Sequence, residues 1–347
     1  MPFVGELSLT VAVALFVAAT VAIVLAGTRL AGVADVLAER TGLGEAVVGA
    51  VLLGGSTSLS GIVTSVTAAS NGSAELAVSN AVGGIAVQTV FLAVADLAYR
   101  GVNLEHAAAS PANLAQGALL VTLLAVPLLA FSGPEVSLLG VHPATPLLLA
   151  GYAFGLRVVS GIQADPMWGA KRTPETQNEE EESSEDGGSA ESSLSGLWVR
   201  FVLLGLTIGV AGYAVGRTGI TISEQTGLTA TIVGALLTAT VTSLPELVTS
   251  VAAVRRGALA LAVGGIIGGN AFDTIFIAFS DVFYRAGSIY HSISQQQVFL
   301  ISLTVMLTGV LLLGLLRRER RGVANIGFES ALVLLLYLGG FVFLGFG

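Results

Sequence analysis

The chain has 347 residues, 54% apolar and only 11% charged, with a formal net charge of −8 and no cysteine. A soluble domain carries more than twice that share of charged side chains, so the composition is that of a membrane protein. Zero Cys excludes disulfides and thiolate metal sites, and no nucleophile elbow or phosphate loop appears, so no enzyme activity and no cofactor are expected.

Apolar stretches long enough to cross a ~30 Å hydrocarbon core run near residues 8–28, 44–68, 74–98, 113–132 and 144–160. The first lacks the small-residue cleavage site of a signal peptide and reads as a retained helix. Residues 162–195 then turn polar, with the run Glu179-Glu180-Glu181-Glu182, and hold nine of the 23 acidic residues. Such a stretch is too polar to fold alone and reads as a disordered, solvated tether. Five more apolar stretches run near 197–216, 228–253, 258–283, 296–316 and 327–346. The expected organisation is a first transmembrane repeat over 1–161, an acidic linker over 162–195 and a second repeat over 196–347.

The repeat is visible in the residues. Thr41 to Arg100 recurs without a gap at Thr226 to Arg285, with 28 of 60 aligned positions identical at a constant offset of 185. Duplication explains this far better than chance, and duplicated halves are the usual construction of a secondary transporter. Thirteen of the fifteen basic residues fall at one set of span ends, and only Arg217 and Arg285 at the other. The basic side is normally cytoplasmic, so both termini are expected outside and the linker inside. Five helices per half make the repeats opposite in orientation. The fold class is thus an all-α membrane protein of ten transmembrane helices in two inverted five-helix repeats.

The chemistry lies where the copies differ. In the second, Thr242-Ser243-Leu244-Pro245-Glu246 sits inside an apolar span, where proline removes a helical hydrogen bond and an unpaired carbonyl is costly unless it meets a cavity, water or an ion. Hydroxyls and a carboxylate in one turn suit hard, oxygen-seeking cations, and intramembrane carboxylates are usually functional. Asp273, four residues beyond Gly269 in Gly268-Gly269-Asn270-Ala271-Phe272-Asp273, projects where a neighbouring helix can come close, so Glu246 and Asp273 could jointly face one divalent ion. The first copy keeps the hydroxyls of Thr57 and Ser58 but has Gly61 opposite Glu246 and Gln88 opposite Asp273. Asn80 adds an amide that the second copy lacks. The duplicated Asp-x-x-Tyr-Arg ends suggest i,i+4 ion pairs Asp96–Arg100 and Asp281–Arg285. His106, His142 and His291 fall in loops without metal-ligand spacing.

The stretches 242–250 and 268–273 resemble the second α-repeat of the cation/Ca²⁺ exchanger superfamily, nearest to its sodium/calcium exchangers. The resemblance covers both repeats and implies alternating access at a central site. It implies Thr242, Ser243, Glu246 and Asp273 as metal ligands from the second half, with Thr57, Ser58, Asn80 and Gln88 on family positions in the first. Gly61 stands where the family has its other Glu, and Gly269 replaces its Ser. The expected function is Ca²⁺ antiport against Na⁺ or H⁺ in the plasma membrane. A monovalent cation/proton exchanger and a non-transporting sensor that retains the fold are the alternatives. Inorganic cations and the lipid bilayer are the expected partners, nucleic acid is not, and a monomer is the expected form.

Overall fold

Only structures that satisfy their own backbone groups can cross hydrocarbon, and helices supply that here. The computed structural model describes residues 7–41, 54–99, 102–171, 173, 193–320, 322 and 326–346. The first half contributes α1 (Leu9–Thr41), α2 (Leu59–Ser70), α3 (Ala74–Ala98), α4 (Leu104–Ala107), α5 (Pro111–Ser132) and α6 (Ala144–Ala164). From the second come α7 (Leu194–Thr226), α8 (Ala230–Thr242), α9 (Leu244–Arg256), α10 (Leu259–Asp273), α11 (Ile275–Phe283), α12 (Gln295–Arg317) and α13 (Phe328–Phe346). Among the described residues, extended pairing is limited to one bridge between Leu138 and Val141.

Among the described residues, eight helices are long and apolar enough to cross a membrane, with α10 and α11 counted together, and nine when α8 and α9 are taken as one span bent by 48°. The remaining expected span, 44–68, is represented by helical residues 54–57 and by α2; its residues 44–53 lie outside the described residues, as do linker residues 174–192 and Arg100. Three boundaries differ from expectation. α1 and α7 run well past residues 28 and 216, and α6 continues to Ala164, inside the expected linker. In α1, Thr28 donates back to the Val24 carbonyl at 2.8 Å, so the polar residue that ends the apolar stretch does not end the helix.

The halves keep register. Leu9 and Leu194, Leu59 and Leu244, Ala74 and Leu259, and Leu104 and Ile289 each begin corresponding elements 185 residues apart. α1 packs along α7, and each meets a broken helix of the opposite half at a glycine. A Cβ on Gly27 would stand 2.6 Å from Pro245, and one on Gly212 would stand 2.8 Å from the Ser60 carbonyl. Leu206, Val210, Leu129, Phe154 and Leu335 are exposed on the outer helices, as lipid-facing surface requires, while α3 is buried along nearly all its length. Its Leu76, Val82 and Ile85 join Leu120, Leu123 and Leu124 of α5 in the largest apolar cluster. The interior also holds an unusual load of polar groups, and these build the site.

Candidate functional site

Both halves break their helix at the same place. Ser58 has φ −86° and ψ 1°, and Ser243 has φ −97° and ψ 1°, the sparsely allowed bridge region. Pro245 comes just after the second break and opens α9, so proline explains a helix start there; the first break forms without one. A π-helical stretch, Val233–Thr238, precedes the second break and presses backbone to backbone on α3, where a Cβ on Gly83 would lie 2.5 Å from Ala235 Cα. The loosened backbone is satisfied by side chains, one across the halves and one within the first. The Ser60 hydroxyl donates to the Thr242 carbonyl at 3.1 Å, and the Asn80 amide donates to the Gly61 carbonyl at 3.2 Å.

Around the breaks, side chains from both halves converge on Asp273 at the end of α10. Ser58 Oγ donates to Asp273 Oδ1 at 2.6 Å. Gln88 Nε2, from α3, donates to Asp273 Oδ2 at 2.7 Å and to Ser243 Oγ at 3.3 Å. Glu246, in the first turn of α9, faces the Thr57 hydroxyl and lies within electrostatic reach of Asp273. Its Oε2 is buried without a hydrogen-bond partner, as is Gln88 Oε1. Gly84 keeps one wall bare, because a Cβ there would lie 3.5 Å from Ser243 Oγ and 3.9 Å from Asp273 Oδ2. Gly269 faces Gln88 Oε1 at a Cβ distance of 3.7 Å. Among the described residues neither carboxylate forms an ion pair with a basic side chain. Two buried carboxylates without a counter-charge are costly, and with hydroxyl and amide oxygens beside them they make a donor set for a hard cation.

Thus Thr57, Ser58, Gln88, Ser243, Glu246 and Asp273 come together. The other two expected residues direct their hydrogen bonds elsewhere. The Thr242 hydroxyl donates to Ala239 in its own helix at 3.2 Å. Asn80 spends its amide on Gly61 and Ser65 and accepts from Thr238 Oγ1 at 2.6 Å, bracing α2, α3 and the π turn. Sequence reasoning missed Ser60, Gly84 and Thr238, of which only Gly84, in its repeated Gly-Gly pair, left a signal.

Asp281 behaves differently from expectation, while the expected Asp96–Arg100 pair includes Arg100, outside the described residues. Asp281 accepts from the His142 and Ile289 amides and from Thr145 Oγ1, at 2.8, 3.1 and 2.7 Å, and forms no ion pair with Arg285 among the described residues. Backbone amides at the starts of helices out-compete the i,i+4 arginine. Asp96 repeats the pattern at the 185-residue offset, accepting from Leu104 and Gly327 amides and Ser330 Oγ. Each aspartate therefore ties its own half to the last helix of the other. Beside Asp96 lies Glu105, whose counterpart is Tyr290; burial, then the carboxylates of Asp96 and Glu329, push Glu105 well above its ordinary pKa. His142 lies in a loop as expected, whereas the other two histidines do not. His106 lies in α4 and His291 in a 3₁₀ turn, and the His142 and His291 rings stand 5.4 Å apart. Among the described residues no group of three His, Asp or Glu side chains is arranged to hold a metal.

Known proteins resemble this chain in both sequence and fold. The profile of a family described as "Sodium/calcium exchanger protein" matches residues 11–156 and 196–346. A curated relative, sodium/calcium exchanger MaX1 of Methanosarcina acetivorans, is 30% identical over 116 residues; the match spans 33% of this chain and 33% of that protein's length. Among solved structures, the H⁺/Ca²⁺ exchanger CAX superposes over 95% of this chain and 82% of its own, with a TM-score of 0.66 and 15% identity. The sodium-calcium exchanger NCX_Mj covers 96% of this chain and 99% of its own, with a TM-score of 0.58 and 16% identity. At those identities the likeness concerns the fold.

Proposed function

Because the chain belongs to the sodium/calcium exchanger family, we propose that it is a secondary antiporter that exchanges Ca²⁺ for Na⁺ or H⁺ across the plasma membrane. The observation that carries this reading is the meeting of Glu246 and Asp273, buried and without a basic partner, with Ser58, Gln88 and Thr57 of the other half. One Ca²⁺ beside two carboxylates is formally neutral. Two Na⁺ or two protons neutralise the same pair, so either coupling ion can compete for the same oxygens. Gln88 now donates to Asp273; turned over, its amide would present Oε1 to a cation.

Ten helices in two inverted five-helix repeats, 1–161 and 196–347, fit the offset of 185 at which Leu9 and Leu194, Leu59 and Leu244, and Ala74 and Leu259 begin their elements. The cross-half ties of Asp96 and Asp281 fit it too. Such halves can rock about a midplane site, which is how inverted repeats alternate access. The basic bias of the span ends favours external termini and a cytoplasmic 162–195 linker. The test is ⁴⁵Ca²⁺ uptake into proteoliposomes under imposed Na⁺ and pH gradients. Uptake driven by either gradient supports the reading and identifies the coupling ion. Flux of monovalent cations alone favours the cation/proton alternative, and no gradient-driven flux favours the sensor.

A further inference from the structure

We propose that Phe276 is a specificity-determining residue of this cation site: its ring occupies the space that a side chain at position 61 would need, and so caps the site at the two carboxylates of the second half. The proposal rests on the exchange reading above and deepens it.

Gly61 is the counterpart of Glu246. Its missing carboxylate could be a simple loss, in which case the surrounding space would stay open to a side chain. Instead, a Cβ built on Gly61 meets Phe276 Cε2 at 2.6 Å, Cζ at 3.3 Å and Cδ2 at 3.5 Å. The first distance is shorter than real contacts allow, so even alanine requires the ring to move, and packed interiors resist such insertion. The ring is also backed. Phe276 meets Phe272 edge to face at 6.2 Å, and Phe272 meets Tyr152 likewise at 5.7 Å. Two further glycines of the first break, Gly54 and Gly55, face the Phe272 ring at Cβ distances of 3.6 and 3.7 Å.

The opposite half differs in these sizes in part. Where the first break has Gly54, Gly55 and Gly61, the second has Ala239, Thr240 and Glu246; where Phe272 stands, the offset of 185 places Val87, whereas Phe276 keeps a ring at its counterpart, Phe91. The closure of position 61 therefore comes from where the Phe276 ring packs, and not from a ring being present in one half alone. Its chemical consequence is a limit on negative charge. With position 61 filled by a ring edge, the site balances one divalent or two monovalent cations, and a third carboxylate cannot enter.

The test is a pair of variants measured in the full-length protein by thermal melting and by ⁴⁵Ca²⁺ binding. Gly61→Ala should lower the Tm in the wild-type background and cost little in the Phe276→Ala background; an equal cost in both would overturn the proposal, whether or not the protein transports. For binding, Gly61→Glu combined with Phe276→Ala should change Ca²⁺ affinity at least tenfold relative to Phe276→Ala alone, because the carboxylate now has room. Gly61→Glu alone, if it folds, should not gain affinity. An unchanged affinity in the double variant, or a full gain without removal of the ring, would overturn the role of Phe276. Wild-type protein that binds no Ca²⁺ would defeat the exchange reading and with it the specificity claim, while the melting cycle would still decide the packing.

Discussion

The breaks at Ser58 and Ser243 share backbone torsions, a Thr-Ser-Leu sequence and a helix of the opposite half crossing at a glycine. They differ in the next turn, which holds Ser60-Gly61 in one and Pro245-Glu246 in the other. The shared part teaches that the bend does not depend on proline. It is held by polar groups reaching across the halves, such as Ser60 to Thr242, and by Asn80 to Gly61 within the first. The differing part teaches that backbone symmetry leaves the placement of charge free. The first half supplies neutral donors, and the second supplies both carboxylates.

The hardest blow to this comparison is Glu246→Gln, which removes one of only two charges. Gradient-driven ⁴⁵Ca²⁺ uptake should fall below about one hundredth of wild type while the protein inserts normally; substantial remaining flux would break the assignment. A smaller loss is expected from the neutral side. Ser58→Ala deletes one hydrogen bond to a carboxylate, so Ca²⁺ affinity measured by titration should fall by about tenfold.

The aspartate ends extend the comparison to stability. With its folded pKa raised above 4.5, Glu105 keeps a proton that the unfolded chain releases, so stability falls as pH rises from about 4.5 through the folded value. Glu105→Gln should flatten that fall and raise the Tm at pH 8 by about 2–4 °C. Its counterpart change, Tyr290→Phe, should leave the slope of Tm between pH 5 and 8 unaltered. The smallest effect belongs to Pro245→Ser, which makes the second break resemble the first. Uptake should stay within about threefold of wild type, corresponding to less than ~1 kcal/mol; collapse of transport would show that proline, after all, sets the bend.

Much of this was legible in the sequence. The offset of 185 exposed the duplication, and Glu246, Asp273, Ser58 and Gln88 stood out as oxygen donors in apolar surroundings. Helix ends were less legible, because Thr28 looks like a breaker yet bonds back within α1. Asn80 was expected at the cation for its amide and its family position; that the amide also braces three elements is set by packing that no local pattern reveals. The Asp281–Arg285 pair failed for a related reason: the competing donors, His142 and Thr145, lie in the other half. Phe276 gave no signal at all, since an aromatic residue in an apolar span is ordinary until its neighbour proves to be a glycine.

The central claim is that the charge holding the cation resides in the second half alone. It is tested most directly by ⁴⁵Ca²⁺ binding to purified full-length wild type, Glu246→Gln, Asp273→Asn and Gln88→Ala, side by side. The account predicts that each second-half variant loses at least about a hundredfold in affinity and that Gln88→Ala loses about tenfold. A Gln88→Ala loss as large as that of Asp273→Asn would contradict it.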